Sequence, residues 1–458
     1  MTTVITNATI VTGDAGRTVL HDSAMVIDGD RIVAAGSTPE ILSAHPQASQ
    51  VDGTGKAIFP GLVNCHTHLL ACSDRGILED WGFPTTLRFP VSARSLLTQE
   101  ERQVIATLGA LEAIRSGTTC LLKIQTGVAD YAGYLGTTGL RVILGDSVND
   151  IDSSPGSGGS LGSSSSRIDL GLQRCADLIE SWQGKCDGRI SCFVAPHAPE
   201  TCSPDLLRRS REMADSYGVG YTIHLSQSYD EIEAVMRVRG VLPTQYLFAN
   251  DFLGPRLVSA HCRYVNPSEI ALLGQAGAGI SNNAAIAARR GAAAPVKELL
   301  AAGCGVGMGT DNMAEDMVEV MRAGLFLERV RRNDQIDPQP EDVLEWASRG
   351  GAQILGMGHE TGTLEVGKKA DLFMVNMMRP HLVPTLRIVS GFIHNGQASD
   401  VESVMVDGRW LMRNGKVLTI DEEDIVSRAE HIGHSVWRRL LQLYPDVSFP
   451  VSLPPGNY

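Results

Sequence analysis

The sequence predicts an α/β fold, a (β/α)8 TIM barrel with a small β-sandwich domain formed from both chain ends. Three observations predict it. Apolar, β-branched segments alternate with amphipathic ones through the middle of the chain, the grammar of parallel strand–helix units. Short β-type runs broken by Asp-Gly or Asn-Gly occur near both ends. Polar residues able to bind a metal fall at the C-terminal ends of several predicted strands, the face on which such barrels do chemistry.

At the N-terminus, 3–11 (TVITNATIV) and 24–35 (AMVIDGDRIVAA) read as strands, with Asp28-Gly29 as the tight turn. The texture returns at 371–377 (DLFMVNM) and 403–418 (SVMVDGRWLMRNGKVL), where Asp407-Gly408 and Asn414-Gly415 are again hairpin signals. The eight barrel strands are read at 58–68, 118–124, 141–147, 189–196, 220–226, 256–262, 278–283 and 304–311. Helices at 98–117, 204–218 and 295–303 each end at a glycine able to take the left-handed cap conformation. The expected organisation is 1–57 and 366–420 as the two parts of the β-sandwich, 58–365 as the metal-binding barrel, and 421–458 as a C-terminal helix and tail. The Gly/Ser stretch 153–166 follows the third strand and is read as a lid over the barrel mouth or a solvated linker.

With 458 residues, 43% hydrophobic and 20% charged, the chain can bury a sizeable core, which excludes disordered and collagen-like classes. A net charge of −13 without a basic run argues against nucleic-acid partners and for small molecules. The opening residues lack the pattern of a signal peptide and no stretch is apolar enough to span a bilayer, so no membrane association and a cytoplasmic location are expected. Nine cysteines without a CxxC pair make a disulfide framework unexpected.

His66 and His68 are spaced i, i+2, so on a strand both side chains point to one face and can chelate. His224, His261 and Asp311 end the fifth, sixth and eighth predicted strands. Such a set, converging from separate strand ends, is hard to explain as packing. Lys123, at the end of the second strand, is a further candidate for entering the pocket.

The segments FPGLVNCHTHLL, APHAPETCSPDLL, IHLSQS, SAHC, GTDN and TGTLEVGKKADLFMV together resemble the amidohydrolase superfamily, in its branch of cytosine, guanine and S-adenosylhomocysteine deaminases and s-triazine hydrolases such as atrazine chlorohydrolase. The resemblance implies one divalent ion, Zn²⁺ or Fe²⁺, held by His66, His68, His224 and Asp311, with His261 beside it. The fourth strand has no lysine, which disfavours the two-metal site of other relatives. Imidazoles and a carboxylate suit such an ion, which lowers the pKa of bound water to about 7; Asp311 can then accept its proton and His261 can donate to the developing oxyanion. The resemblance also implies a homo-oligomer. One position departs from the pattern: deaminases of this branch carry a proton-shuttling glutamate three residues after the fifth-strand histidine, and here it is Gln227. A neutral amide cannot exchange a proton at a useful pKa. His197, Trp81, Lys123 and Asn312 are the candidate substrate contacts. The expected activity is hydrolysis of a C–N bond, a deaminase or aminohydrolase acting on a nitrogen heterocycle or related small molecule. An amide, urea or carbamate hydrolase, or a triazine-type dechlorinase, is the alternative on the same site, and a catalytically silent metal-binding barrel the third reading.

Overall fold

A computed structural model describes residues 2–80, 89–151, 164–447 and 453. Trp81 and nearly all of the Gly/Ser stretch lie outside the described residues. The expected barrel is present and closed: β1 (Leu62–Thr67), β2 (Thr118–Gln125), β3 (Arg141–Val148), β4 (Ile190–Pro196), β5 (Tyr221–Leu225), β6 (Leu257–His261), β7 (Gly279–Asn282) and β8 (Gly305–Met308). Neighbouring strands pair in parallel around the ring, β8 closing on β1 through Met308 and Asn64.

Side-chain alternation along the strands splits the core in two. Cys120, Leu122, Ile124, Ile143, Phe193 and Ala195 form an inner cluster, whereas Leu121, Leu144, Cys192 and Ile223 pack outward against the helices. The helices begin and end as the residue chemistry dictates. Helix Gln99–Arg115 starts on a capping box between Thr98 and Glu101. Helix Pro204–Tyr217 stops at Gly218, whose φ of 67° a side-chain-bearing residue adopts only with strain.

Both chain ends contribute to one separate mixed sheet of nine strands. The segment 58–68, expected as a single strand, is divided between the two sheets. Lys56–Pro60 pairs antiparallel with Leu372–Asn376 in the end sheet, and only Leu62–Thr67 enters the barrel. The break is at Gly61, where a Cβ would come within 2.1 Å of the Thr119 side chain. A C-terminal helix, Glu422–Leu443, packs on helix Gln99–Arg115. No described helix is long and apolar enough to cross a membrane.

Candidate metal centre and active site

The HxH pair is aimed by a bulge. Asn64 lies level with Leu121 and Thr67 with Lys123, so β1 carries one more residue than β2 over this span. The extra residue lets Val63 face inward and still presents His66 and His68 to the barrel mouth, while Thr67 turns outward to donate to Glu315 at 2.7 Å. Backbone bonds then lock β1 to the segment after β8, with His68 N–H donating to the Asp311 carbonyl at 2.7 Å and Asp311 N–H to the His66 carbonyl at 3.0 Å.

Four imidazoles and one carboxylate meet there. His66, His68 and His224 form one group whose nitrogens lie within 4.8 Å of one another, and His66, His261 and Asp311 form a second. Asp311 Oδ1 is 3.7 Å from His66 Nε2 and 3.6 Å from His68 Nε2. His68 Nδ1 donates to the Ile124 carbonyl at 2.9 Å, and His224 Nδ1 to the His197 carbonyl at 2.6 Å. Each Nε2 is therefore left with a lone pair, yet the two Nε2 atoms approach to 3.1 Å. Two lone pairs repel at that distance unless a cation lies between them, and carbonyl bonds at the other nitrogen are how metal-binding histidines are oriented. Both nitrogens of buried His66 lack a hydrogen-bond partner among the described residues. The donor set thus fits a metal ion. Burial and the neighbouring His66 hold His68 and His224 well below the ordinary histidine range, keeping them neutral. Burial alone would raise Asp311, but His261 and His66 outweigh it and hold the carboxyl well below its usual range.

His261 and Asp311 both occupy the left-handed region, at φ of 80° and 68°. Non-glycine residues held there cost about 1–3 kcal/mol each, so the surrounding packing fixes them. Donors converge on His261 Nδ1 from Arg263 Nη2 at 3.0 Å and Asn283 Nδ2 at 3.1 Å. With Nδ1 accepting, the proton sits on Nε2, which is buried, lacks a described partner and lies 3.9 Å from Asp311 Oδ2. Burial and the adjacent Arg263 charge hold this ring neutral as well.

A cleft of about 430 Å³ opens above Asp311, lined by Gln227, Tyr229, Arg263, Tyr264, Arg290 and Asn312 among others. The backbone N–H of Gln227 is anchored by Glu231 Oε2 at 2.8 Å, its side chain lying at the cleft wall. Asn312 donates to Asp311 Oδ1 at 2.6 Å. His197 is not among the residues lining the cleft; its ring lies tilted beside His224, with centroids 5.0 Å apart, and bonds Thr201 Oγ1 through Nδ1. Lys123 is not brought into the cleft. It shares the outward face of β2 with Leu121, is fully buried over the Tyr131 ring, and donates to the Ile124 carbonyl at 3.1 Å, the same carbonyl that orients His68. The physical reason is strand parity: Leu122 and Ile124 point inward, so Lys123 points out. Arg263, Arg290, Asn283 and Glu231 were not among the sequence candidates. Their part depends on the segments that follow β5, β6 and β7, and only the run of two arginines at 289–290 in an alanine-rich segment hinted at it.

A model of the amidohydrolase family matches residues 57–411, and a bacterial imidazolonepropionase-like composite domain matches 24–48. The chain is 32% identical over 438 residues to a 5-methylthioadenosine/S-adenosylhomocysteine deaminase of Pelotomaculum thermopropionicum, covering 93% of this chain and 97% of that one. It is 31% identical over 425 residues to a 5'-deoxyadenosine deaminase of Methanothermobacter thermautotrophicus, covering 91% and 95%. Among solved structures, an adenosine deaminase from Xanthomonas campestris with bound zinc superposes with a TM-score of 0.86 at 25% identity, covering 95% of this chain and 98% of that one. An atrazine chlorohydrolase of Arthrobacter aurescens complexed with zinc gives 0.85 at 24% identity, covering 94% and 100%, a likeness of fold.

Proposed function

The chain belongs to the amidohydrolase family, and from that premise we propose that it hydrolyses a C–N bond of a nitrogen heterocycle, releasing ammonia or an amine, with His66, His68, His224 and Asp311 holding one zinc ion. The observation that carries the reading is the 3.1 Å approach of two Nε2 lone pairs whose Nδ1 hydrogens are committed to carbonyls. Three imidazoles and a carboxylate suit zinc, with iron as the alternative. The deaminase names of the relatives support the bond type.

When bound, the ion supplies an acidified water at neutral pH, with a pKa of about 7. The chain's residues do the rest. Asp311, held ionised, takes the proton released as water attacks the ring carbon. His261, fixed as an Nε2–H donor by Arg263 and Asn283, stabilises the oxygen that gains charge and cannot serve as the base while those donors occupy Nδ1. Asn312 lines the cleft that the substrate enters, and His197 supports His224 from beside it.

A second reading is favoured by Gln227. Without a carboxyl group there, substrates whose departing group needs little ring protonation are better suited, which brings in amides, ureas, carbamates and triazine-type compounds. Cytoplasmic residence and a homo-oligomer belong to the same proposal; nine unpaired cysteines support a reducing compartment.

The test is metal analysis joined to a substrate panel. Purified protein should carry close to one transition-metal ion per chain, and His66→Ala should lose most of it. Metal-loaded protein should release ammonia or amine from at least one heterocyclic amine, urea or carbamate. Full metal retention in the variant would refute the ligand set, and a panel without turnover would favour the silent barrel.

A further inference from the structure

The proposed metal ligands His66, His68 and Asp311 come from the two sides of the seam where the barrel closes. The main-chain bonds that join them form an isolated bridge, Thr67 opposite Asp311, set apart from the β1–β8 pairing of Met308 with Asn64. Between the two, Gly309 N–H donates to the Asn282 carbonyl at 3.3 Å and Thr310 N–H to the Asn64 side chain at 3.2 Å, so neither reaches the main chain of β1. Side chains therefore help to set how Asp311 lies relative to the two histidines.

Four buried polar residues fill that seam: Asn64, Thr67, Thr310 and Glu315. Asn64 Oδ1 accepts from the N–H groups of His66 at 3.3 Å and Thr310 at 3.2 Å. A backbone N–H only donates, so the amide is fixed with Nδ2 toward Thr310 Oγ1 at 2.8 Å and Glu315 Oε2 at 3.3 Å. The Thr310 hydroxyl, already holding that donor, gives its own hydrogen to Glu315 Oε2 at 2.7 Å. The Thr67 hydroxyl meets the same carboxyl at 2.7 and 2.8 Å. The main chain of Glu315 is held in turn, its carbonyl accepting from Ser116 Oγ at 3.1 Å. Burial pushes the Glu315 carboxyl up to about 8, with the Thr310 and Thr67 hydroxyls opposing; protonated or not, it spans both threonines.

We propose that Glu315 is a positioning residue for the metal centre: it ties Thr67, between the two histidine ligands, to Thr310, directly before Asp311, and so fixes the span that the ion has to bridge. The inference rests on the metal-binding reading of the site and adds to it a residue outside both the ligand set and the cleft. Glu315 acts from behind, on the outward face of β1 to which Thr67 turns. Hydrogen bonds behind metal ligands set ligand direction, and their loss weakens metal binding about 10–100-fold. A leucine would fill the same space without the desolvation of a carboxyl, but it would leave both hydroxyls without an acceptor.

The experiment is zinc affinity, measured on the full chain by competition with a chromophoric chelator, together with the visible spectrum of the cobalt-loaded protein and the thermal midpoint of the metal-free protein. Glu315→Leu should weaken zinc binding about 10–100-fold and shift the cobalt bands, while Glu315→Gln, which keeps the length and one acceptor, retains part of the affinity. Thr67→Val should weaken zinc binding in the same direction, and Thr67→Ser, which keeps the hydroxyl, should match the wild type. A residue that only supports the fold would lower the midpoint and leave zinc affinity and the cobalt spectrum as they were. Affinities within about threefold of wild type in Glu315→Leu and Thr67→Val therefore overturn the proposal. If Glu315→Leu does not fold, the Thr67 pair decides, and equal zinc affinity in Thr67→Val and Thr67→Ser overturns it. Wild-type protein that binds no zinc ends the metal reading and this proposal together. Zinc binding without turnover across the substrate panel removes only the hydrolase reading.

Discussion

At the residue scale, the proposed reaction turns on position 227, where the proton would move. Glu231 holds the backbone N–H groups of Ser226 and Gln227 at 2.7 and 2.8 Å, so the residue at 227 is presented to the cleft on a fixed backbone. An amide cannot exchange a proton at a useful pKa, and Arg263 and Asn283 leave His261 with its proton on Nε2. Gln227→Glu is therefore expected to raise weak deaminase activity toward cytosine, guanine or similar aminated rings by about 10²–10⁴-fold, the usual contribution of general acid–base catalysis. The same change should be neutral or harmful on the native substrate, which meets an amide in the wild type. Ammonia release measured on both proteins checks this. Ordinary wild-type deamination rates with no gain in the variant would show that the proton travels by another route.

At the scale of elements, the C-terminal helix braces the turn that follows the HxH pair. Trp437 Nε1 donates to the Ser73 carbonyl at 2.9 Å, Arg439 pairs with Glu101 at 2.8 Å, and Arg115 pairs with Glu422. Ser73 lies in the 3-10 turn Leu69–Asp74, which starts directly after His68. Trp437→Ala removes a large, buried side chain and strands that carbonyl, so a loss of about 3–5 kcal/mol is expected. Denaturant unfolding of the metal-loaded protein measures it, and a loss below about 1 kcal/mol would mean the helix is not a brace.

At the scale of the whole molecule, barrel and end sheet are joined through a buried ion cluster. Arg141, at the start of β3, reaches Asp371 at 3.0 Å and Asp407 at 2.7 Å, both from the C-terminal strand region of the end sheet, and Asp407 N–H donates to Asp371 Oδ1 at 2.8 Å. Burial already pushes the Asp371 carboxyl above its usual value, with Arg141 opposing. Arg141→Met should cost about 3–5 kcal/mol at neutral pH, because Asp371 is left buried without its cation while Asp407 keeps Lys369 at 3.5 Å. The sign of its pH dependence follows. With the folded-state pKa of Asp371 raised above its unfolded value, the folded form binds more protons, so stability falls as pH rises through the carboxylate range and recovers on acidification. Thermal midpoints of variant and wild type should therefore converge as the pH is lowered from 7 toward 5; a constant gap would contradict the charge argument.

What the sequence by itself determined is what depends on local order. The alternation of apolar and amphipathic segments carries the barrel, and glycine-bearing turns carry the hairpins at both ends. His66, His68, His224, His261 and Asp311 could be read as converging because strand ends of a parallel barrel all lie on one face. Tertiary structure alone decided the rest. A one-residue bulge in β1 sets where His66 points, and Gly61 divides one apolar run between two sheets because the Thr119 side chain leaves no room for a Cβ. Parity against Leu122 and Ile124 turns Lys123 outward. Positive φ at His261 and Cys262 folds Arg263 back onto His261 Nδ1, fixing the tautomer. These outcomes depend on contacts between residues far apart in the chain, and local spacing carries no record of them.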